Sequence, residues 1–397
     1  MNWTEIEQKD YMQVFERLPV TLIKGRGMYV RDNKGKRYLD FVAGIAVVSL
    51  GHCHPVLVKA VNRQSHLLFH TSNLFYTTPQ LKLAELLIKN SDMKRVFFAN
   101  SGTEAVEGAV KLARRWGSIN LNGAFEVISA NNSFHGRTLA MIAATGQQKF
   151  QHPYEPLPAG FINVPYNDID AIKAATTDKT CAVLIEAIQG EGGVNIPHPE
   201  YLKQVRAWCD EKNLLLILDE VQTGVGRCGT LFAYRQSGII PDVVALAKGL
   251  AGGIPIGAVL ATEKASVFVK GDHGTTFGGN ALACAASHAV LSYIIKNDIP
   301  SHSLNMGTLM LDGLKKLKQE FPCIADVRGK GLLLAMQFEN NLAKDTALAC
   351  LDMGLLVNNL KPNLLRFIPP LIVQPKDINK ALGILRKALQ RVIEQCE

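Results

Sequence analysis

The chain has 397 residues, of which 47% are hydrophobic and 20% are charged, and its formal net charge is +8 at pH 7. This length predicts a compact protein of two domains, and the composition excludes a disordered chain. The positive charges are spread along the sequence, which excludes a basic nucleic-acid-binding segment, and no apolar run is long enough for a membrane helix. Eight cysteines without a CxxC spacing, the last at position 396, and a polar N-terminus indicate a cytoplasmic protein with reduced thiols and no signal peptide.

The first 50 residues alternate short apolar and polar segments. Turn signals at residues 25–27 and 32–35 predict small strands and a hairpin that belong to a minor domain. The His-Cys-His segment at residues 52–54 suggests metal ligands, but no second pair of ligands follows at zinc spacing. Pro55 suits the first turn of a helix, which we predict to extend to about residue 68.

A short apolar segment at residues 96–99 is followed by a helix signature. Ser101 and Glu104 form the S-x-x-E capping pattern ahead of an apolar helical stripe, which predicts a well-capped structural helix. The same position suits phosphate binding, because a helix N-terminus presents unpaired amides and Gly102 permits close approach of the backbone. The residues alone leave both interpretations open.

Further apolar segments are typical of buried strands, and two of them end in a charged residue. They cover residues 125–129, 181–185, 214–218 and 243–247. Strands alternate with helices from about residue 50 to residue 295, with connections too long for hairpins, which predicts an α/β fold with a mostly parallel sheet flanked by helices. Ligands bind beyond the carboxyl ends of such strands, so Asp219 and Lys248, which follow the last two segments, are expected to meet at a common site.

Asp219 and Lys248 suit the binding of an aromatic aldehyde. A lysine desolvated at a strand end can lose its proton and form a Schiff base with an aldehyde cofactor. A fixed aspartate can keep a pyridine nitrogen protonated, which makes the ring an electron sink. Taken singly, each residue is more often a solvated or paired charge. Together, with glycines after both, they indicate a cofactor site.

The segments around these two residues read LDEVQTGVGR and ALAKGLAGGIPIGAV. They resemble the class III, or ω-amino-acid, group of pyridoxal-phosphate aminotransferases, and the similarity extends from residue 25 to about residue 373. The resemblance implies fold type I, with a large cofactor-binding domain at residues 51–300 and a smaller α+β domain formed by residues 1–50 and 301–397. It also implies pyridoxal 5′-phosphate as the cofactor, bound by Lys248, with Asp219 on the ring nitrogen.

The C-terminal region is predicted to have α+β character. A charged helix, a short strand and a final amphipathic helix are expected at residues 311–321, 332–334 and 376–397. Arg366 lies in another apolar segment, where an unpaired charge would be costly. It needs an acidic partner, and Glu191, in a Gly-rich loop, is the candidate. Glu186, at the end of the preceding strand, is assigned to structure.

The resemblance assigns most of the site residues. The implied cofactor-binding residues are Ser101, Gly102, Thr103, Phe134, Asp219, Glu220, Val221, Gln222, Lys248 and Thr276. The implied substrate-binding residues are Arg137, Thr275, Glu191 and Arg366. Phe134 would stack on the pyridine ring, and Gln222 would contact the 3-oxygen of that ring. Thr276 would reach the cofactor phosphate of the neighbouring subunit, which implies a homodimer with shared active sites.

A transaminase must bind an amine donor and then 2-oxoglutarate in one pocket. The resemblance implies that Arg137 holds the donor's α-carboxylate and later the side-chain carboxylate of 2-oxoglutarate. Arg366 would be neutralised by Glu191 while the donor's uncharged chain is bound, and would then bind the α-carboxylate of 2-oxoglutarate. Lys248 would move the proton at the reacting carbon.

Two positions depart from the family pattern. Phe15 stands where relatives often have Tyr, and Thr275 stands where Ser is common. Loss of the phenol removes a group that a free α-ammonium needs more than an amide does. The resemblance implies transfer of the terminal amino group of N2-acetylornithine to 2-oxoglutarate, in arginine biosynthesis, and the missing phenol weakens ornithine as a donor more than N2-acetylornithine. Ornithine, succinylornithine, succinyldiaminopimelate and 4-aminobutyrate remain alternative donors, and an isomerase, a decarboxylase or a non-catalytic cofactor-binding protein are more remote alternatives.

Overall fold

The computed structural model of the protein describes residues 3–395. Its strands are β1 (Leu22–Arg26), β2 (Tyr29–Asp32), β3 (Arg37–Asp40), β4 (Arg95–Ala99), β5 (Glu126–Ala130), β6 (Phe161–Val164), β7 (Thr180–Glu186), β8 (Leu215–Asp219), β9 (Val243–Leu246), β10 (Gly257–Ala261), β11 (Ile324–Lys330), β12 (Leu333–Phe338), β13 (Leu355–Leu356), β14 (Asn358–Lys361) and β15 (Leu364–Phe367). In this part of the chain, no helix is both long and apolar enough to cross a membrane.

The helices include one short turn with unusual backbone angles. They are α1 (Trp3–Asp10), α2 (Ala43–Ala46), α3 (Pro55–Ser65), α4 (Thr78–Lys89), α5 (Gly102–Asn120), α6 (Leu139–Ala144), α7 (Gln148–Gln151), α8 (Ile169–Ala175), α9 (Tyr201–Glu211), α10 (Ala281–Lys296), α11 (Ile299–Glu320), α12 (Ala343–Asp352) and α13 (Pro375–Glu394). The segment α2 is a single turn with left-handed angles at Gly44 and Ile45 rather than a regular helix. Short 3₁₀ helices cover His152–Tyr154, Ala233–Ser237 and Lys248–Leu250.

Within residues 3–395, a seven-stranded sheet with the order β4-β10-β9-β8-β7-β5-β6 forms the centre of the fold. Only β10 runs antiparallel to its neighbours in that sheet. Every residue of β7, β8 and β9 is buried, as expected for parallel strands covered on both faces. The predicted α/β fold with a mostly parallel sheet is confirmed. The pairing places Glu186 beside Asp219 at the carboxyl edge of the sheet, one strand away from the segment that leads to Lys248.

Two smaller sheets contain the remaining strands. In one, β1, β2 and β3 are antiparallel, and β13 from the C-terminal region joins β3 in parallel. The predicted hairpin at residues 25–27 is confirmed, because β1 and β2 pair up to Arg26 and Tyr29. The other sheet, β11-β12-β15-β14, is antiparallel and contains Arg366 on β15. The domain boundaries near residues 50 and 300 stay a prediction.

The histidines before α3 have local partners. The Nδ1 atom of His54 accepts a hydrogen bond from the amide of Val56 and so caps α3. The Nε2 atom of His52 lies 2.7 Å from a carboxylate oxygen of Asp40. Pro55 begins α3 as predicted, and the helix ends at Ser65.

The C-terminal helices differ from the prediction in their bounds. The helix α11 begins at Ile299, so the predicted start at residue 311 is wrong. Pro300 occupies its first turn, where the missing N–H has no helical partner to lose, and buried residues such as Ser303 and Gly307 pack the additional turns. The helix α13 ends at Glu394, and residues 396–397 of the predicted final helix, which include Cys396, lie outside the described residues.

Candidate active site

A cavity of about 350 Å³ opens where the carboxyl ends of β7, β8 and β9 meet the N-terminus of α5. This volume lies in the range of small-molecule sites, roughly 300–1,000 Å³. Nine of the predicted site residues line it: Ser101, Gly102, Thr103, Phe134, Glu191, Asp219, Val221, Gln222 and Lys248. They come from segments far apart in the chain that the parallel sheet brings to one edge.

Lys248 enters the cavity from a strained backbone position. It follows β9 with φ of +40°, in the left-handed region that side-chain-bearing residues rarely adopt. Burial lowers the pKa of its amine, the nearby charge of Arg366 also lowers it, and the carboxylates of Glu191 and Asp219 act in the opposite direction. The net effect lowers the pKa, which favours the neutral amine that a nucleophile and proton carrier requires.

Asp219 is held by two hydrogen bonds at the end of β8. One carboxylate oxygen accepts from the amide of Val221 at 3.0 Å, and the other lies 2.8 Å from Nδ1 of His135. Because an ionised carboxylate only accepts, Nδ1 of His135 is the donor. The other ring nitrogen of His135, Nε2, is buried without a hydrogen-bond partner. Both side chains are almost completely buried, so Asp219 is fixed in position and orientation.

His135 was not expected in the site. Its signal is its position in the segment SFHGRT, directly after Phe134 and two residues before the predicted substrate ligand Arg137. The carboxylate that it contacts lies 84 residues further along the chain, so local sequence could not identify the pair.

Glu186 also lines the cavity, although it was assigned only to structure. Its carboxylate accepts from the amides of Phe134 and Gly190 at 3.0 and 3.1 Å, which is the structural role expected of it. Burial raises its pKa to about 7; the charge of Asp219 also raises it, whereas His135 and the two amides lower it. The site therefore contains two adjacent carboxyl groups, Glu186 and Asp219, in different environments.

The N-terminus of α5 forms an open cradle of backbone amides. The hydroxyl of Ser101 accepts from the amide of Glu104 at 3.2 Å, which confirms the predicted cap, and the carboxylate of Glu104 accepts from the amide of Asn100 at 2.7 Å. A Cβ atom at Gly102 would lie 2.8 Å from Val221 Cγ1, so only glycine keeps this wall of the cavity open. The first helical amides have no partner within a helix and are suited to a phosphate group.

The predicted ion pair between Arg366 and Glu191 is present. Nη1 of Arg366 lies 2.7 Å from Glu191 Oε1, and the side chain of Arg366 is only 1% exposed. Gln222 bridges the pair: its amide nitrogen donates to Glu191 at 3.0 Å and its amide oxygen accepts from Arg366 at 3.2 Å. Burial alone would raise the pKa of Glu191, but the charges of Arg366 and Lys248 and the two hydrogen bonds outweigh it and lower the pKa to about 2. Glu191 is therefore ionised.

The side chain of Glu220 does not line the cavity, and the predicted part of this residue in cofactor binding stays a prediction. Its carboxylate is fully buried and accepts from the amides of Ala233 and Tyr234, each at 2.7 Å. Burial raises the pKa of this group to about 7, against the effect of the two amides. Consecutive side chains point to opposite sides at a strand end, so Glu220 faces away from the cavity that Asp219 lines.

Besides Glu220 and Arg366, three predicted residues lie outside the cavity wall. The guanidinium of Arg137 packs on the ring of Phe150, 3.9 Å from its centroid, near Phe134. The hydroxyl of Thr275 accepts from the side-chain amide of Asn100 at 3.2 Å, and Thr276 is exposed. The roles predicted for these residues require a bound substrate or a second subunit and stay predictions.

The cavity has the donor set of a site for a phosphorylated pyridine aldehyde. Lys248 offers an amine for the aldehyde, Asp219 offers a carboxylate for the ring nitrogen, and the start of α5 offers amides for the phosphate. The glycine wall at Gly102 leaves room for the group. The fold and the site thus define a pyridoxal-phosphate enzyme.

Comparison with known proteins identifies the family. The profile of the family described as aminotransferase class-III matches residues 11–389. The chain is 49% identical over 387 residues to the acetylornithine aminotransferase of Caldanaerobacter subterraneus subsp. tengcongensis, which covers 97% of this chain and 98% of the relative. The chain therefore belongs to the class-III aminotransferase family and is a pyridoxal-phosphate-dependent transaminase.

Solved structures agree with this assignment. The crystal structure of the ornithine aminotransferase from Toxoplasma gondii ME49 superimposes with a TM-score of 0.95 at 33% identity, covering 99% of this chain and 95% of that chain. The acetylornithine aminotransferase from Elizabethkingia anophelis gives a TM-score of 0.88 at 34% identity and covers 98% of each chain.

Proposed function

We propose that this enzyme transfers the terminal amino group of N2-acetyl-L-ornithine to 2-oxoglutarate, giving N-acetyl-L-glutamate 5-semialdehyde and L-glutamate, as a cytoplasmic step of arginine biosynthesis. The 49% identity to a relative named acetylornithine aminotransferase, over nearly the full length of both chains, supports this donor. The Glu191–Arg366 ion pair, in which Glu191 lines the cavity, carries the proposal, because it suits a pocket that binds an uncharged chain first and a dicarboxylate second.

Ser101, Gly102 and Thr103 would hold the cofactor phosphate, with Asp219 at the ring nitrogen and Lys248 at the aldehyde. When bound, pyridoxal phosphate supplies an electron-withdrawing ring that stabilises negative charge at the substrate carbon. Asp219 holds the proton on the ring nitrogen, and His135 orients Asp219 through the 2.8 Å hydrogen bond. Nζ of Lys248 takes the proton from the substrate carbon that bears the amine, which its lowered pKa favours.

Two arginines would allow one pocket to bind the two different substrates in turn. Arg137 binds the donor's α-carboxylate and, in the second half of the reaction, the side-chain carboxylate of 2-oxoglutarate. Arg366 stays paired with Glu191 while the uncharged part of the donor occupies the site. When 2-oxoglutarate is bound, its α-carboxylate replaces Glu191 at the guanidinium. Both substrates then present their reacting carbon to the same position.

We also propose that the enzyme works as a homodimer in which Thr276 reaches the partner's cofactor phosphate. Thr276 is exposed, and the neighbouring Phe277 is 60% exposed. Leu74 and Tyr76 are 85% and 92% exposed. Large apolar side chains at such exposure support a subunit interface. Sedimentation analysis of the purified enzyme tests the dimer, and a monomer with full activity would contradict it.

Initial rates with a panel of donors test the reaction. N2-acetylornithine, ornithine, succinylornithine, succinyldiaminopimelate and 4-aminobutyrate are each supplied with 2-oxoglutarate, and glutamate is measured. N2-acetylornithine is expected to give the highest kcat/KM. A higher kcat/KM for another donor would replace the proposed substrate. An absence of glutamate with every donor would instead favour an isomerase or decarboxylase.

A further inference from the structure

We infer that Arg328 is a positioning residue for the Glu191–Arg366 ion pair, acting together with Lys361 through the backbone of the loop that contains Glu191. This role rests on the proposed function of the pair as a switch between the two substrates. It adds two residues that set the relative affinity for the 2-oxo acid, although neither Arg328 nor Lys361 lines the cavity.

The loop that contains Glu191 fixes its own shape mainly at its base, where the side-chain amide of Asn195 donates to Gln189 at 2.9 Å and lies 3.4 Å from the carbonyl oxygen of Gly192. It is closed at its base by reciprocal backbone hydrogen bonds between Gln189 and Asn195, each of 3.1 Å. Glycines stand at positions 190, 192 and 193, on both sides of Glu191. Val194 has φ of +55°, which a β-branched residue rarely adopts. Contacts from outside the loop must therefore hold this conformation.

Arg328 supplies three of these contacts, while Asn131 and Glu186 hold residues 189 and 190 at the start of the loop. Its Nε atom lies 3.2 Å from the carbonyl oxygens of both Gly193 and Val194, and Nη2 donates to Gly193 at 2.7 Å. The other side of the guanidinium, Nη1, donates to Asp326 at 2.7 Å and to Gln337 at 2.9 Å. Asp326 and Gln337 are cross-strand partners on β11 and β12. The sheet thus fixes the guanidinium, and the guanidinium fixes the loop.

Lys361 holds the remaining side of the same loop. Its ammonium donates to the carbonyl oxygen of Gly192, the residue directly after Glu191. Lys361 lies on β14 of the sheet that contains Arg328. Two cations from one sheet therefore bind the carbonyl oxygens of three consecutive residues, 192–194, that follow Glu191.

Arg366 is fixed to the same sheet. Its cross-strand partner on β14 is Asn358, whose side-chain oxygen accepts from Nε at 3.1 Å and from Nη2 at 2.8 Å. The Nη1 side of Arg366 faces Glu191 and also donates to the carbonyl oxygen of Gly190 at 3.1 Å, so a substrate carboxylate would meet this guanidinium at Nη1. Opening of the pair therefore requires movement of Glu191, and the contacts of Arg328 and Lys361 determine how closely Glu191 is held to Arg366.

Glu191 and the α-carboxylate of 2-oxoglutarate compete for one guanidinium. Tight attachment of the loop gives Glu191 a high effective concentration at Arg366. Loosening the loop lowers that concentration, so Arg366 becomes more available to a carboxylate from solution. Loss of Arg328 should therefore strengthen the binding of 2-oxoglutarate and glutamate. An arginine with a merely structural role would, when removed, weaken the binding of both substrates or lower kcat for both.

The holoenzyme variants Arg328→Met and Lys361→Met test this inference. We expect the KM for 2-oxoglutarate to fall roughly fivefold in Arg328→Met while the KM for the amine donor stays within about twofold, a typical size for coupling between sites. Binding of glutarate, an unreactive dicarboxylate, should tighten by the same factor in titration calorimetry. Arg328→Lys should restore part of the wild-type value, and Lys361→Met should act in the same direction even if Arg328→Met fails to fold.

Arg235→Met is the matched control. Arg235 also donates to a backbone carbonyl oxygen, that of Asn90 at 2.9 Å, and contacts a carboxylate, that of Asp92 at 3.5 Å, but it touches neither member of the pair. Its removal should leave both KM values and glutarate binding unchanged. A matching fall in the control would show a general effect of removing a surface cation and would overturn the inference.

A double-mutant cycle with Glu191→Gln separates the outcomes. In the Glu191→Gln background, Arg328→Met should cause no further change. Glu191→Gln could lower the KM for 2-oxoglutarate while Arg328→Met and Lys361→Met leave it unchanged or raise it. In that case the role of Arg328 and Lys361 is overturned, but the Glu191–Arg366 switch is not. If Glu191→Gln itself has no effect, the switch and this inference both fail. The identity of the donor is judged separately by the donor panel, because glutarate and 2-oxoglutarate binding do not depend on it.

Discussion

Replacement of Arg366 by Met is expected to weaken the binding of 2-oxoglutarate while sparing the donor. Two charge-assisted hydrogen bonds from the two N–H groups of Nη1 to the α-carboxylate contribute about 1.5–3 kcal/mol each. Binding must first break the 2.7 Å pair with Glu191, whose pKa is lowered from 4.5 to about 2, which corresponds to about 3 kcal/mol shared with Lys248 and Gln222. At the middle of that range the difference leaves about 1.5 kcal/mol, or a rise of roughly tenfold in KM for 2-oxoglutarate.

The assay varies each substrate at saturation of the other. Arg366→Met leaves Glu191 as a buried carboxylate without its cation, so the variant Arg366→Met/Glu191→Gln is measured beside it to remove that charge. Arg137→Met is the contrasting variant and should raise the KM for both substrates, because Arg137 is assigned to both. An Arg366→Met enzyme that keeps its wild-type KM for 2-oxoglutarate, alone and in the double variant, would refute the two-arginine scheme.

Three further outcomes are expected. Gly102→Ala should weaken retention of the cofactor roughly tenfold in equilibrium dialysis, because overpacking costs about 1–3 kcal/mol and the new Cβ would lie 2.8 Å from the side chain of Val221. Unchanged retention would contradict the proposal that the N-terminus of α5 binds the cofactor phosphate. His135→Phe should lower cofactor affinity about 10- to 100-fold by leaving a carboxylate oxygen of Asp219 unpaired, whereas His52→Phe, which removes the 2.7 Å His–Asp contact outside the site, should not. The pKa of Glu220 is raised from 4.5 to about 7, so the folded state binds the proton of this carboxyl group more tightly than the unfolded chain does. Protonated Glu220 therefore stabilises the fold fully below pH 4.5, and about 3 kcal/mol of this stabilisation is lost as the pH rises to 7. Glu220→Gln should therefore flatten the fall of Tm over that pH interval. An unchanged slope of Tm against pH would argue against a raised pKa of Glu220.

Local features of the sequence predicted much of the fold and the centre of the site. The apolar runs that became β7, β8 and β9 are short-range signals of buried parallel strands, and their ends matched the structure to within a residue or two. The Ser101–Glu104 cap is also a local property. Because Asp219 and Lys248 stand at strand ends, the shared edge of a parallel sheet was enough to bring them together.

Other features depended on which way a side chain faces. Asp219 and Glu220 are adjacent acids, and nothing in their local sequence distinguishes the one that faces the cavity from the one that binds the amides of Ala233 and Tyr234. The pleat of the strand sends them in opposite directions, and only the position of the sheet relative to α5 decides which direction is the cavity. The early start of α11 has a similar cause, since tertiary packing of Ser303 and Gly307 supports turns that the sequence pattern did not indicate.

The sequence by itself therefore determined the sheet class, the lysine and aspartate at its edge and the helix N-terminus beside them, because each follows from residues close together in the chain. The tertiary structure decided the contacts around them. His135 meets a carboxylate 84 residues away, and Arg328 meets the loop of Glu191 across a separation of 135 residues. Such contacts depend on strand order and register, which are set by the packing of the whole chain and not by any single segment.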